Sequence, residues 1–108
     1  MVGKIILIYS KEFVIYLDYL VRILYKKEYF GYIKSADFYV SKIYDFVDEN
    51  IESFPSKKTP IQLQHRGSNY IFYKSNQRTT WYVFFENSEN DYLITNIINN
   101  HSEEVKWL

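Results

Sequence analysis

The chain has 108 residues, of which 47% are hydrophobic and 20% aromatic, and this is enough apolar material for the core of one domain. Its 13 lysines and arginines balance 13 aspartates and glutamates, which argues against strong non-specific binding of nucleic acid by the chain as a whole. The lack of cysteine excludes disulfides and thiol chemistry, and no apolar run reaches the roughly 18 residues of a membrane span. We therefore expect one soluble, cytoplasmic domain over residues 1–108.

The first two elements are predicted to be a strand and a helix. Residues 4–9 are mostly β-branched, aliphatic and aromatic, which is typical of a strand. Ser10 then offers a helix N-cap, with Glu12 beside the positive end of the helix dipole. Large apolar residues follow at the spacing of one helical face: Phe13, Leu17, Leu20 and Leu24.

A second helix is predicted between Ser35, its N-cap candidate, and Pro55, which ends it. Its apolar residues again share one face: Ala36, Val40, Ile43, Val47 and Ile51. The link between the helices is short and contains Gly31. Such a link favours an antiparallel helical hairpin.

After Pro60 the apolar period changes to two, which predicts strands over residues 70–74, 79–86 and 92–98. Polar turns separate them at residues 75–77 and 87–91, whereas residues 61–64 fit either a short strand or a loop. On the middle strand, one face carries Trp81, Val83 and Phe85, and the other carries Tyr82 and Phe84. We expect an α+β fold in the order β-α-α-β-β-β, with the helical hairpin packed on a twisted, largely antiparallel sheet.

Two stretches carry a family resemblance. The second helix reads YIKSADFYVSKIYDFVDENIESFP, and the closing strands read TTWYVFFENSENDYLITNIINNH. In these residues and in its order of elements, the chain resembles the RelE/ParE superfamily of bacterial toxins, known also from plasmid stabilisation systems. The resemblance implies a toxin–antitoxin pair, with a small antitoxin protein as partner. It also implies a target, which is either mRNA on the ribosome or DNA gyrase.

The chain departs from that family at positions that concern catalysis. The family often has an arginine where this chain has Tyr82, and another after the terminal histidine, where this chain has Ser102. Family members are usually basic, whereas this chain is neutral. The resemblance therefore leaves open whether the chain is an mRNA endoribonuclease or a gyrase blocker. The alternative is a catalytically inactive binding module that dimerises, or binds a partner peptide, through its aromatic strands.

Cleavage of RNA requires a proton acceptor, a proton donor and cations around the phosphate. The cations of the central segment, residues 55–85, occur without any acid between them. The predicted catalytic residues are His101, as acid or base, and Arg66 and Arg78, as phosphate contacts. The predicted RNA-binding residues are Lys57, Lys58, Lys74, Tyr70, Tyr73 and Trp81.

Each candidate also has a structural interpretation. A histidine at a strand end such as His101 often caps or packs, and His65, in a predicted loop, fits a solvated side chain. Lys57 and Lys58 fit helix-terminal cations, and Arg78 fits an exposed turn residue. Two histidines without cysteine argue against a zinc site, and no glycine-rich loop marks a phosphate cofactor, so we expect neither metal nor cofactor.

Overall fold

A computed structural model describes residues 5–26, 33–53 and 55–108, with two helices and a mixed five-stranded sheet. The helices are α1 (Lys11–Lys26) and α2 (Ile33–Asn50). The strands are β1 (Ile6–Tyr9), β2 (Lys57–Lys58), β3 (Asn69–Lys74), β4 (Thr80–Ser88) and β5 (Asp91–Asn99). Two short 3-10 turns, Ile61–Leu63 and Glu103–Trp107, complete the fold. Gly31, in the predicted helix link, lies outside the described residues.

The predicted order of the two helices and the strands is confirmed, with four differences. A two-residue strand, β2, precedes the predicted strands, and residues 61–63 form a 3-10 turn. Helix α2 begins at Ile33, so the prediction that Ser35 caps it is wrong. The polar turn predicted over residues 87–91 is also too long, because β4 and β5 continue to a tight turn at Glu89 and Asn90. Glu89 permits this turn by adopting a φ of 54°.

The strand order in the sheet is β1-β5-β4-β3-β2. β1 pairs with β5 in parallel, and the other neighbours pair antiparallel. The parallel pair ends at Ser10, whose Oγ accepts a hydrogen bond from the Phe13 amide at 3.2 Å and so caps α1, as predicted. The same serine donates its hydroxyl proton to the Thr95 carbonyl at 3.0 Å, which fixes the start of α1 against β5.

The two faces of the sheet bury different residues. Trp81, Val83 and Phe85 lie on the helix-covered face, in a core with Phe13, Leu17, Val47 and other apolar residues of α1 and α2. Phe84 and Tyr82 lie on the opposite face, so the predicted alternation along β4 is confirmed. There, Leu63 of the first 3-10 turn packs beside Tyr70, Phe84 and Ile98, and the C-terminal residues Val105 and Leu108 pack against the same cluster. This second face, which we call the C-terminal face, is therefore covered by short turns instead of helices.

Neither helix, over the residues that the structure describes, is long and apolar enough to cross a membrane.

The largest buried side chain, Trp81, is joined to α2 by a hydrogen bond. Its indole Nε1 donates to the Tyr39 hydroxyl at 3.0 Å, and only 2% of the residue is exposed. We expect Tyr39→Phe to lower the free energy of unfolding by about 1–3 kcal/mol, because it leaves a buried N–H without its acceptor. Urea unfolding followed by tryptophan fluorescence measures the change.

The matched control is Tyr19→Phe, which removes a hydroxyl from a tyrosine of α1 that is 58% exposed. We expect it to change stability by less than about 0.5 kcal/mol. Equal effects of the two substitutions would show that the indole contact does not stabilise the helix layer.

Candidate functional site

A groove of about 540 Å³ lies beside the second half of β5, where the sheet has an open edge. β1 pairs with β5 only as far as Tyr9 and Ile94, and at Ser10 the chain turns away into α1. Beyond that point, no strand among the described residues covers this side of β5. Side chains from α1, β5 and the C-terminal segment line the groove: Glu12, Phe13, Tyr16, Asn96, Asn99, His101, Ser102 and Glu104, with Arg66 from the loop before β3.

A β-bulge positions the polar residues of β5 in this groove. Phe84 pairs with Asn96 and Phe85 pairs with Ile94, so Thr95 is an extra residue on β5. The Thr95 hydroxyl donates to the Arg66 carbonyl, and the Asn96 amide oxygen accepts from the Arg66 side chain. The bulge thus lets two consecutive residues of one strand contact the same arginine.

Arg66 is held by three contacts from its guanidinium. Nε donates to Oε2 of Glu104 at 2.9 Å, one terminal nitrogen donates to Oε1 of the same carboxylate, and the other donates to Oδ1 of Asn96 at 2.7 Å. His65 approaches the carboxylate as well, with its Nε2 3.9 Å from Oε2. The hydrogen bond from Arg66 holds the pKa of the Glu104 carboxyl below its ordinary range.

This pairing changes the role predicted for Arg66. Its charge is neutralised by Glu104, and Glu12 adds a second carboxylate to the groove wall. In this conformation Glu104 and Asn96 accept three of the guanidinium N–H groups that the predicted phosphate contact would use. Among the described residues, no three histidine, aspartate or glutamate side chains gather into a metal-binding group.

His101 lies at the mouth of the groove and contacts the turn between β3 and β4. Its Nε2 is 3.4 Å from the Thr79 hydroxyl. Asn100 fixes this arrangement, because its amide oxygen accepts from the Thr80 N–H at 2.9 Å and its amide nitrogen donates to the Arg78 carbonyl at 3.0 Å. The end of β5 is thereby tied to the segment that carries Arg78.

The turn itself is ordered by side-chain hydrogen bonds. The Asn76 carboxamide oxygen accepts from the N–H groups of Arg78 and Thr79 at 2.8 and 2.9 Å, which is an Asx-type turn. Lys74 pairs with Thr80 at the end of β3 and so belongs to the same end of the sheet. We call Lys74, Arg78, Thr79 and His101 the His101 corner.

The His101 corner has two exposed cations. Within the described part of the chain, no ion pair involves Lys74 or Arg78, and both are exposed. The structure places His101 beside Thr79, the residue after Arg78, and places Lys74 at the same end of the sheet, while Arg66 lines the groove with its carboxylate partner.

Lys57 and Lys58 lie elsewhere. They pair with Tyr70 and Asn69 at the beginning of β3, on the edge strand furthest from β1. Lys74 is five residues further along β3 than Asn69, which corresponds to about 17 Å of strand. The basic central segment therefore divides between two ends of β3 and does not form one patch.

The aromatic residues predicted to stack on bases are mostly buried. Trp81 is 2% exposed and Tyr70 is 6% exposed, so neither offers a ring face to a nucleotide. Tyr73 is half-buried, and its ring stacks on Phe46 with 5.0 Å between centroids. These positions are at odds with the RNA-binding role predicted for the three residues.

Sequence reasoning missed the residues that organise the site. Asn96, Asn100 and Glu104 have no motif around them, and the Arg66–Glu104 pair joins residues 38 positions apart. One signal was present in the Asn99-Asn100 pair before His101, since asparagine at a strand end often bonds neighbouring backbone.

The loop that carries Arg66 depends on Gly67. A Cβ atom at this position would lie 2.6 Å from Thr95 Oγ1 and 2.9 Å from the Phe85 amide nitrogen. We expect Gly67→Ala to destabilise the fold by about 1–3 kcal/mol, because backbone must move to admit the methyl group. Chemical denaturation measures this loss, and Ser68→Ala, at the exposed neighbouring residue, should change stability by less than about 0.5 kcal/mol.

The Arg66–Glu104 pair predicts a pH dependence of stability. Because the pKa of Glu104 is lowered in the folded chain, its contribution is complete above the unfolded pKa of about 4.3 and is lost as the pH falls through the folded value. We expect Glu104→Gln to lower the free energy of unfolding by about 0.2–1 kcal/mol at pH 7, as for a partly exposed ion pair.

The difference between the unmodified chain and Glu104→Gln should shrink as the pH falls below about 4. Urea titrations at several pH values measure it, with Glu103→Gln, at the exposed neighbouring carboxylate, as control. A difference that stayed constant with pH would contradict the charge pairing.

We compared the chain with known proteins in three ways. Comparisons with models of protein families, with curated proteins and with solved structures find no match. A function for the chain must therefore be argued from its order of elements, the groove and the His101 corner.

Proposed function

We propose that this chain is the toxin of a toxin–antitoxin pair of the RelE/ParE type and that it cleaves mRNA on the ribosome at the His101 corner. The order of elements supports the family, because a strand, two helices and a closing antiparallel sheet occur in the sequence expected for it. The observation that supports the activity is the placement of an exposed imidazole at the same end of the sheet as two exposed cations that form no ion pair with a described residue.

The chemistry at the corner follows from the residue types. In RNA cleavage, the 2′-hydroxyl attacks the phosphorus, a proton leaves that hydroxyl, and a proton is delivered to the departing 5′-oxygen. His101 performs one of these two proton transfers, since an imidazole nitrogen can accept or donate a proton. Arg78 and Lys74 offset the negative charge that develops on the phosphate oxygens. Water or the ribosome supplies the other proton transfer.

Blocking of DNA gyrase is the second candidate, and a specific observation favours it. The groove wall contains two carboxylates, Glu12 and Glu104, and its arginine is already paired. Such a groove attracts phosphate weakly, which suits a toxin that binds a protein target without cutting anything.

The proposed antitoxin partner would contact exposed apolar side chains. These lie on the helices, on β1 and β5, and on the short turns: Ile6, Ile8, Ile15, Tyr19, Phe38, Ile61, Leu93 and Trp107. None of the aromatic residues within the strands is exposed, and Tyr70, Trp81, Phe84 and Phe85 are buried, so they offer less surface than the exposed apolar residues for the alternative of a module that dimerises through them. The exposed residues are instead suited to an antitoxin segment that folds on binding.

Growth and cleavage assays test the proposal together. Expression of the chain alone should arrest bacterial growth, and purified protein should cut mRNA only when ribosomes are translating it. We expect His101→Gln to lower the cleavage rate at least about 100-fold, the usual contribution of a general acid or base. Arg78→Ala should lower it about tenfold or more, as for a lost charge-assisted hydrogen bond.

The control is Lys58→Ala, which removes a cation at the far edge of the sheet and should leave cleavage intact. Unchanged cleavage by His101→Gln would exclude the corner as the active centre. Growth arrest without cleavage, together with inhibition in a supercoiling assay, would select the gyrase blocker. A chain that neither arrests growth nor cuts mRNA would refute the toxin assignment.

A further inference from the structure

We propose that Arg66, held in place by Asn96, binds one phosphate group of RNA and that the carboxylate of Glu104 occupies this position in the free protein. The inference rests on the proposed function in taking RNA as the ligand. It adds a second phosphate contact inside the groove, apart from the His101 corner, and a segment of the chain itself that closes this contact.

The geometry around Glu104 is that of a bound anion. Two guanidinium nitrogens of Arg66 engage both carboxylate oxygens, a bidentate arrangement that phosphate oxygens also accept. Asn96 holds the third guanidinium nitrogen from the opposite side, and His65 Nε2 lies 3.9 Å from the carboxylate. The two guanidinium nitrogens thus donate to one position, where the C-terminal segment places a negative group.

Arg66 and the residues that hold it belong to the sheet and the loop packed on it, whereas Glu104 belongs to the C-terminal turn. The bulge at Thr95 and the close approach of Gly67 fix Arg66 against β5. Glu104 belongs to the C-terminal 3-10 turn, none of whose residues is fully buried. Release of the turn would therefore leave the donors in place and remove the carboxylate.

The turn is attached weakly enough to be displaced. The side chains of Arg66 and Glu104 are 21% and 34% exposed, and a partly exposed ion pair contributes about 0.2–1 kcal/mol. The remaining attachment is the packing of Val105 and Leu108, both half-buried, on the C-terminal face. A phosphate that reached the groove would compete with Glu104 for the same donors.

The Arg66 site lies in the same groove as His101, so an RNA strand bound at the His101 corner could extend into it. Arg66 and His101 both line the groove, so we expect a strand whose reacting phosphate sits at His101 to place another of its phosphates at Arg66. Displacement of Glu104 would then couple binding of the strand to opening of the C-terminal turn.

A binding experiment on a non-cleavable ligand tests this inference separately from catalysis. The probe is a fluorescein-labelled 2′-O-methyl RNA hexamer, followed by fluorescence anisotropy at low salt. We expect Glu104→Gln to tighten binding about tenfold, because the competing like charge is removed from the site. The slope of log affinity against log salt should become steeper by about 0.7, as for one additional phosphate contact on a single strand.

Two variants separate the site from a general change of charge. Glu103→Gln removes one negative charge from the neighbouring exposed residue and should alter affinity less than about twofold, as expected for a screened surface charge. Arg66→Gln/Glu104→Gln should lose both the gain in affinity and the steeper slope. Equal gains from the two glutamate substitutions, or a gain that survives loss of Arg66, would overturn the proposal.

A measurement on the unmodified chain covers the case in which Glu104→Gln disturbs folding. The Val105 and Leu108 amides donate within the C-terminal turn, to the Ser102 and Val105 carbonyls at 3.2 and 2.9 Å. Saturating hexamer should accelerate hydrogen exchange at these two amides, because the turn opens when RNA takes its place. Unchanged or slower exchange at saturation would show that RNA leaves the turn closed and would overturn the proposal. If RNA cleavage failed but these binding results held, the phosphate site would stand without the nuclease.

Discussion

The hydrogen-bonded ladder of β5 is the interaction on which the rest of the structure depends. This strand pairs with the N-terminal strand on one side and with β4 on the other, so it joins the two ends of the chain. Where β1 stops, α1 begins, and its start is bonded to the Ile94 and Thr95 carbonyls. The helix layer is therefore placed on the sheet by the same strand that forms the wall of the groove.

The bulge in β5 connects this framework to the site. Regular pairing would direct Thr95 and Asn96 to opposite faces of the sheet. The extra residue lets both reach Arg66, and Gly67 allows the loop that carries it to lie directly on the strand. The bulge at Thr95 and the close backbone contact at Gly67 thus hold the guanidinium of Arg66 in one position.

The tertiary structure also separates the cations that stand together in the sequence. Arg66 is neutralised by Glu104, the two lysines of β2 lie at the far edge, and only Lys74 and Arg78 remain unpaired near His101 within the described residues. A chain with no net charge can in this way present a small cationic corner beside an acidic groove. In the proposed mechanism, the groove therefore needs an opening step before it binds phosphate, and the corner does not.

Much of the fold could be predicted because its signals are local. The apolar spacing of α1, its cap at Ser10 and the alternation of Trp81, Tyr82 and Val83 report how residues close in sequence share a face. The same local reasoning failed at β2, whose two lysines form a strand only because β3 is beside them. It also failed at Trp81 and Tyr70, because the sequence of a strand does not show whether an aromatic ring is buried or exposed to a nucleotide.

By itself, the sequence determined the classes of element, their order and the faces that the strands bury. Only the tertiary structure decided which charges remain free. The reason is physical: an ion pair such as Arg66 with Glu104 joins residues 38 positions apart, and it exists only after a bulge and a close backbone contact have brought two remote segments together. Local sequence patterns do not show which remote residues come together on folding. The charged residues in the sequence are therefore not all available to a ligand in the folded chain.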